Sequence, residues 1–163
     1  MKKFDIDSQV VIMCGISGSG KTFYARQLEK EGYLRLSSDE LIWEKVGKGL
    51  FDLSKDKQRL IFLESRKVIL EKLTTILKSG QKVVMDATNC KREVRDEIRN
   101  LCAQVNKKPQ FVYCRADKEQ LWQRLSQRKG TGPDDLYVSK DQLSEYWEGF
   151  EHPQDDESDF III

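Results

Sequence analysis

The sequence is poor in the residues that build metal centres, covalent cross-links and membrane anchors. It has one histidine, His152, and its four cysteines, Cys14, Cys90, Cys102 and Cys114, form no C-x-x-C pair. Metal-ligand spacing is therefore missing, and cysteines scattered in this way are expected to be reduced, buried thiols. A single histidine with no nameable serine or cysteine partner also excludes a hydrolytic triad, and His152, beside Pro153 in an acidic tail, is expected at the surface. The longest apolar run, Val10 to Cys14, is far shorter than the ~20 residues of a membrane span. At the N-terminus, Met1-Lys2-Lys3-Phe4-Asp5 has an acid where a secretory signal needs an apolar stretch. A cytoplasmic protein with no membrane partner is expected.

Excess charge of either sign is missing too. The 28 basic and 27 acidic residues leave +1, which gives no overall attraction to nucleic acid or anionic lipid. The distribution is uneven: residues 78–130 carry 13 Lys and Arg against 6 acids, whereas residues 131–163 carry 1 against 10. Either these are two solvated faces, or the basic stretch contacts the phosphates of a nucleic-acid strand and the acidic one a partner.

What is present reads as one α/β domain over residues 1–163. At 163 residues with 39% hydrophobic content, the chain can bury a core without disulfides or a structural metal. Gln9 to Cys14 is a β-branched strand ending at glycine, and Tyr24 to Glu31 is a helix stopped by Gly32. Tyr33 to Leu36 is a second strand. Ser37-Ser38-Asp39-Glu40 then has capping-box spacing ahead of a helix that Gly47-Lys48-Gly49 breaks. A long helix from Asp56 to Leu77 places Phe62, Ile69, Leu73 and Ile76 beside Leu63, Leu70 and Leu77, which predicts a broad buried face. Lys82 to Met85 and Phe111 to Cys114 are strands on either side of a helix marked by Val94, Ile98, Leu101, Cys102 and Val105. Asp117 and Gln120 cap a helix to about Arg128, Gly130 to Pro133 breaks the chain, and a helix follows near Ser139 to Trp147. Phe160 to Ile163 is expected to be a final strand. This alternation predicts a doubly wound parallel sheet flanked by helices on both faces.

Gly15-Ile-Ser17-Gly18-Ser19-Gly20-Lys21-Thr22 matches G-x-x-x-x-G-K-[ST] and lies between a predicted strand and a predicted helix. Glycines there let successive backbone N–H groups turn toward a polyphosphate, with the helix N-terminus adding its positive end. Lys21 would reach the β- and γ-phosphates of ATP, and the Thr22 hydroxyl would ligate Mg²⁺. A GTPase is excluded, because Asn106-Lys-Lys-Pro109 and Asp86-Ala-Thr-Asn89 fit neither the guanine motif nor the D-x-x-G switch motif. Asp39, just past the second strand, is either a general base for an attacking hydroxyl or merely a helix-start acid. Asp86, which closes the third strand, is either a Mg²⁺ carboxylate or a turn residue paired with Thr88 or Asn89. Arg124 and Arg128 share a helix face before the glycine break. They are either cover residues that neutralise the transferring phosphoryl group or a solvated basic stripe. Trp43 either stacks on a base or packs in the core.

The chain resembles the small P-loop kinases of the polynucleotide-kinase and zeta-toxin group, the AAA-type predicted kinases, and among them the kinase domain of phage-type polynucleotide kinases. The resemblance covers most of the chain and rests on GISGSGKT, the Ser38-Asp39 pair, VVMDATNCKREVR at 83–95, QRLSQRKGTG at 123–132 and FEHPQDDESDF at 150–160. It implies a nucleotide-kinase-like P-loop fold with a small helical lid at about 124–138. Asp39 would be the general base, Lys21 and Thr22 would act on ATP and Mg²⁺, and Arg128, with Arg124 beside it, would be the lid arginine. The implied acceptor is a hydroxyl, foremost the 5′-hydroxyl of a polynucleotide. The alternatives are a metabolite, nucleoside or nucleotide-sugar kinase and an ATP-gated binding or toxin–antitoxin module. One departure is that Ile42 stands where the polynucleotide kinases carry an arginine three residues after the base.

Overall fold

The computed structural model describes residues 6–163; Met1 to Asp5, on which the reading of the N-terminus rests, lie outside the described residues. Five strands, β1 (Val10–Cys14), β2 (Leu34–Ser37), β3 (Val83–Asp86), β4 (Gln110–Tyr113) and β5 (Phe160–Ile162), form one sheet in the order β2-β3-β1-β4-β5. Every pairing is parallel, with Ile12 opposite Met85 on one side and Phe111 on the other. The helices are α1 (Lys21–Lys30), α2 (Ser38–Val46), α3 (Lys55–Ser79), α4 (Arg92–Ala103), α5 (Lys118–Leu125) and α6 (Lys140–Gly149), with 3₁₀ turns at Gly47–Asp52 and Pro133–Asp135. None among the described residues is long and apolar enough to cross a membrane.

A central parallel strand is covered on both faces, so it has to be apolar throughout rather than alternating. Val10 to Cys14 meets this condition, with each residue fully buried. Val10 and Ile12 face α3 and α4 through Ile69, Leu73, Leu77, Ile98 and Cys102, while Val11 and Met13 face α1 through Ala25 and Leu28. A third cluster joins α5 and α6 to the end of β1 through Leu121, Leu125, Leu143 and Cys14. Burying each such aliphatic side chain contributes about 1.5–3 kcal/mol. All four cysteines are free thiols, as expected, though Cys90 is only half-buried.

Three expectations are corrected. The α3 helix buries Ile61, Ser65, Ile69, Leu73 and Leu77 and packs Leu70 and Ile76 partly against the same core, but the expected face stops short of Phe62 and Leu63, which are 40% and 50% exposed. The expected lid is not α-helical: α5 ends at Leu125, and between it and α6 only Pro133–Asp135 is helical, as a 3₁₀ turn. Gly130 takes φ +69°, and the Asp135 carboxylate holds the bend by accepting from the Lys129 and Thr131 amides and the Thr131 hydroxyl.

The third correction concerns the charge asymmetry, part of which is neutralised within the molecule. Arg95 on α4 and Glu157 in the tail, each fully buried, form two parallel bonds of 2.8 Å. Arg99 bonds both Glu157 and Asp159, Arg92 grips Asp156, and Lys91 pairs with Glu151. Residues 150–159 are thereby laid along α4 and deliver β5 to the sheet edge.

Burial opposes ionisation of Glu157, but hydrogen bonds from Arg95 and Arg99 outweigh it and hold the carboxyl down at about 2. Its stabilisation is therefore complete above the ordinary glutamate range and is lost as pH falls toward 2. Replacing Glu157 by Ala leaves Arg95 buried and unpaired, and is expected to cost about 3–5 kcal/mol in urea unfolding at pH 7. A loss below about 1 kcal/mol would contradict the burial of the pair.

Candidate active site

The phosphate loop lies where β1 leaves the sheet, flanked by β3 and β4, at the carboxyl edge where parallel sheets open their ligand crevice. Gly15, at φ +148°, admits no side chain, because a Cβ there would lie 2.6 Å from Ser19 Oγ and 2.7 Å from the Cys114 carbonyl. The loop is braced from behind: the Gly15 amide donates to Thr88 O at 3.1 Å, and the buried Asn89 amide donates to Met13 O at 2.7 Å. Asn89, at φ +48°, is thus a clamp between the β3 loop and β1. Arg95 donates to the Asn89 carbonyl, which links the clamp to the tail.

The expected residues converge here. Lys21 Nζ spans the loop to Ile16 O at 3.1 Å, and Thr22 follows it in the first turn of α1. Arg124, though exposed, reaches the Gly18 carbonyl at 3.1 Å, and Arg128 reaches Ser17 Oγ at 3.5 Å and Leu136 O at 3.2 Å, so both arginines touch the loop. Ser19 Oγ is buried with no partner among the described residues. With the loop amides and the cations Lys21, Arg124 and Arg128, this is a donor-rich cradle that suits a polyphosphate.

Three carboxylates line the approach in different states. Asp86 ends β3, and its Oδ2 accepts from Arg35 Nε at 3.0 Å and Nη2 at 2.8 Å, so its partner is Arg35 and not Thr88 or Asn89. The Arg35 side chain is 1% exposed and also bonds Glu40 and Asp134. Asp134, from the lid, is gripped in addition by Arg26 on α1 at 2.8 Å. Burial opposes ionisation of Asp134, but the arginine bonds prevail and hold it below the usual carboxylate range. The lid is thus tied to α1 and β2 through one ion-pair network.

Asp39 differs from both. Ser37, not Asp39, caps α2 by accepting from the Glu40 amide, so Asp39 has no capping duty. The Glu40 side chain is drawn to Arg26 and Arg35, leaving the expected capping box half made. No hydrogen bond or ion pair engages the Asp39 carboxylate among the described residues. Burial pushes it up to about 6 against the pull of Lys21 and Arg128, with Asp86 and Asp134 adding to the rise. Ionised yet uncompensated at neutral pH, it is suited to accepting a proton.

Asp39, Lys21 and Ser17 open into a cavity of about 440 Å³ that runs between α2, α3, α4 and α6. Ile42 is part of its wall and 2% exposed, packed with Leu50 and Ile61. Trp43 is half-buried on α2 and does not line it. Tyr146 does, near enough for Asp39 to influence its phenol, which burial raises to about 12. Sequence reading misses Arg35, Asp134 and Tyr146; an arginine inside the short strand LRLS is the one available signal, since a strand interior admits such a charge only with a partner. His152 is exposed as expected, although its Nδ1 shares a 2.6 Å bond with the Tyr113 hydroxyl.

Fold and loop together define a P-loop NTPase of the kinase-like type. The chain belongs to the AAA_33 family, whose model, described as AAA domain, matches residues 10–153. It is similar to the UPF0200 protein PAE1629 of Pyrobaculum aerophilum, 28% identical over 131 residues that span 80% of this chain and 72% of that protein. Among solved structures it is similar to a gluconokinase from Sinorhizobium meliloti 1021, with a TM-score of 0.67 and 22% identity over 94% of this chain and 81% of that one. It is also similar to a chain of the Pnkp1/Rnl/Hen1 RNA repair complex, with a TM-score of 0.69 and 20% identity over 86% of this chain and 43% of that one. At such identities the structural likeness establishes the fold alone.

The raised Asp39 carboxyl makes stability depend on pH. The folded state holds its proton more tightly than the unfolded chain, so stability falls as pH rises from about 4 through about 6. Asp39→Asn removes that cost and is expected to stabilise the protein at pH 8 by on the order of 2 kcal/mol, and by little at pH 4. Urea unfolding at the two pH values checks this; an equal change at both would contradict a buried, uncompensated Asp39.

Proposed function

We propose that the chain is an ATP-dependent phosphotransferase that moves the γ-phosphoryl group to a hydroxyl of a small molecule, with Asp39 as general base. The observation that carries this reading is an unpaired carboxylate with a raised pKa, placed between the phosphate-loop lysine and a mostly apolar cavity. The loop amides, Lys21 and Ser19 would hold the triphosphate. Thr22 and Asp86 would hold Mg²⁺, which when bound neutralises charge on the β- and γ-phosphates. Their placement fits that role, because Thr22 opens α1 and Asp86 ends the strand paired with β1, its carboxylate fixed by Arg35.

In the transfer, Asp39 takes the proton of the acceptor hydroxyl as its oxygen bonds to the γ-phosphorus. The bond from that phosphorus to the β–γ bridging oxygen breaks, and ADP leaves. Arg128 and Arg124, lying over the loop, would stabilise charge on the group in flight. The lid carries Asp134 to Arg26 and Arg35, which holds this cover down and keeps water from competing.

A polynucleotide acceptor has less support. Arg92, Arg95 and Arg99, three of the 13 cations of the basic stretch, are taken up by the acidic tail, and the family's strand-holding arginine position is the buried Ile42. The same pairing occupies Asp156, Glu157 and Asp159, part of the acidic segment 134–159 that an ATP-gated module would offer a partner.

The test is transfer of labelled γ-phosphate from Mg-ATP to small alcohols, sugars, nucleosides and 5′-hydroxyl oligonucleotides. Lys21→Ala and Asp39→Asn are expected to reduce transfer by about 10²–10⁴-fold, with ATP still binding to Asp39→Asn. The wild-type kcat/KM should climb with pH to a plateau above about 6, since Asp39 acts only when ionised. Tight ATP binding with no transfer to any acceptor, or full activity in Asp39→Asn, overturns the reading.

A further inference from the structure

Resting on the kinase reading above, we propose that the acceptor is an alcohol carried on a compact apolar body, aromatic or branched aliphatic, and not a sugar or nucleoside. The cavity beyond Asp39 is lined by Ile42, Leu50, Phe62, Ile69, Val94 and Tyr146, contributed by α2, the 3₁₀ turn after it, α3, α4 and α6. At about 440 Å³ it has the size of a small-ligand pocket.

Beyond Asp39, the polar groups of this wall left free among the described residues are Ser38, Ser65, Thr88 and the Tyr146 hydroxyl, and several others are committed elsewhere. The Asn89 amide is spent on the Met13 carbonyl, Glu145 pairs with Lys55 at 3.1 Å, and Arg66 pairs with Glu97. A polyol entering here would exchange water for hydrocarbon at most of its hydroxyls, and each hydroxyl left unpaired costs free energy. A nucleobase would meet the same difficulty along its donor and acceptor edge. An apolar body gains instead, because it covers wall that is otherwise wet.

Two groups supply orientation. Asp39, at the end nearest the phosphate loop, takes the hydroxyl. Arg66 Nε, buried and unpartnered among the described residues, lines the same cavity and can donate to one further oxygen on the ligand. The ligand is therefore an alcohol with few other polar atoms. Discrimination against sugars comes from the apolar majority of the wall rather than from a clash, and it does not depend on the phosphate loop.

The experiment has two arms. In the first, γ-phosphate transfer from Mg-ATP is compared for phenylpropanol, isopentanol, gluconate, adenosine and a 5′-hydroxyl oligonucleotide. In the second, saturation-transfer NMR reads magnetisation passed from the protein with ADP to the ring protons of phenylpropanol. Phe62 is 40% exposed, so Phe62→Asp alters the wall without emptying the core. It is expected to raise KM for the apolar alcohols about tenfold and to remove the NMR signal, with the KM for ATP unchanged. Leu70→Gln, on the same wall, should act in the same direction. Transfer to gluconate, adenosine or the oligonucleotide without transfer to either apolar alcohol overturns this proposal and leaves the kinase reading standing. Absence of transfer to every compound overturns the kinase reading. The NMR arm then judges the cavity alone: a ring-proton signal that disappears in Phe62→Asp supports an apolar ligand, and no signal with the wild type overturns it.

Discussion

The phosphate loop is held in shape from behind, and the support converges on one buried ion pair. Arg95 and Glu157 have no access to water, and their mutual bonds are the condition for either to be charged there. Arg95 also donates to Asn89 O and Glu151 O, and Asn89 in turn bonds the end of β1. A path of hydrogen bonds therefore runs from the C-terminal tail through α4 to the strand that launches the loop. Such a pair need not add net stability over well-packed hydrocarbon. Its effect is to specify position: the tail can dock in only one register, because a shift by one residue would strand a charge in the interior.

The same economy of charge separates the carboxylates of the site. Asp86 and Asp134 share Arg35, and that sharing couples the end of β3 to the lid. Asp39, a short distance along the chain from Arg35, receives no such partner, and burial outweighs the pull of Lys21 and Arg128 on its carboxyl. A residue that destabilises its own fold is the kind retained for chemistry rather than architecture. Had Arg35 been paired with Asp39 instead, the site would be more stable and the base would be neutralised as a proton acceptor by its own ion pair.

Legibility in the sequence depends on distance along the chain. The phosphate loop, the cap at Asp117 and the apolar β1 are local patterns, and each forms as the spacing predicts. The two stretches of opposite charge are visible in the sequence, but their partial mutual neutralisation is not: Arg95 and Glu157 lie 62 residues apart and meet only because β5 joins the sheet beside β4. The Arg35–Asp86 pair is hidden for the same reason. On α3 the difference is of another kind, because periodicity marks which residues share a face but not how wide a face the sheet can cover. Leu60 and Leu63 fit the helical pattern and remain outside the core. A helical lid does not form because the capping signals around it belong to α5 and α6, whereas the glycines between them permit only a turn.

The architecture places the two halves of the proposed reaction on different parts of the chain. The phosphate side is made by β1, α1 and the lid arginines, whose spacing and backbone geometry leave little freedom, as the close approaches a Cβ on Gly15 would make indicate. The acceptor side is made by the segment after β3, α4 and α6 together with 38–79, where α2, a 3₁₀ turn and α3 meet through the small cluster of Ile42, Leu50 and Ile61. That cluster touches none of the loop's supports. Changes of side-chain volume and polarity there can reshape the cavity while leaving the phosphate cradle and Asp39 in register, since Ser37 and Glu40 anchor the start of α2 independently of the rest of the helix. In the proposed reaction, acceptor specificity is then a property of this wall. The physical reason that Ile42 can stand where a strand-binding arginine stands in similar kinases is that the residue faces the cavity wall, and the wall's chemistry is free to vary.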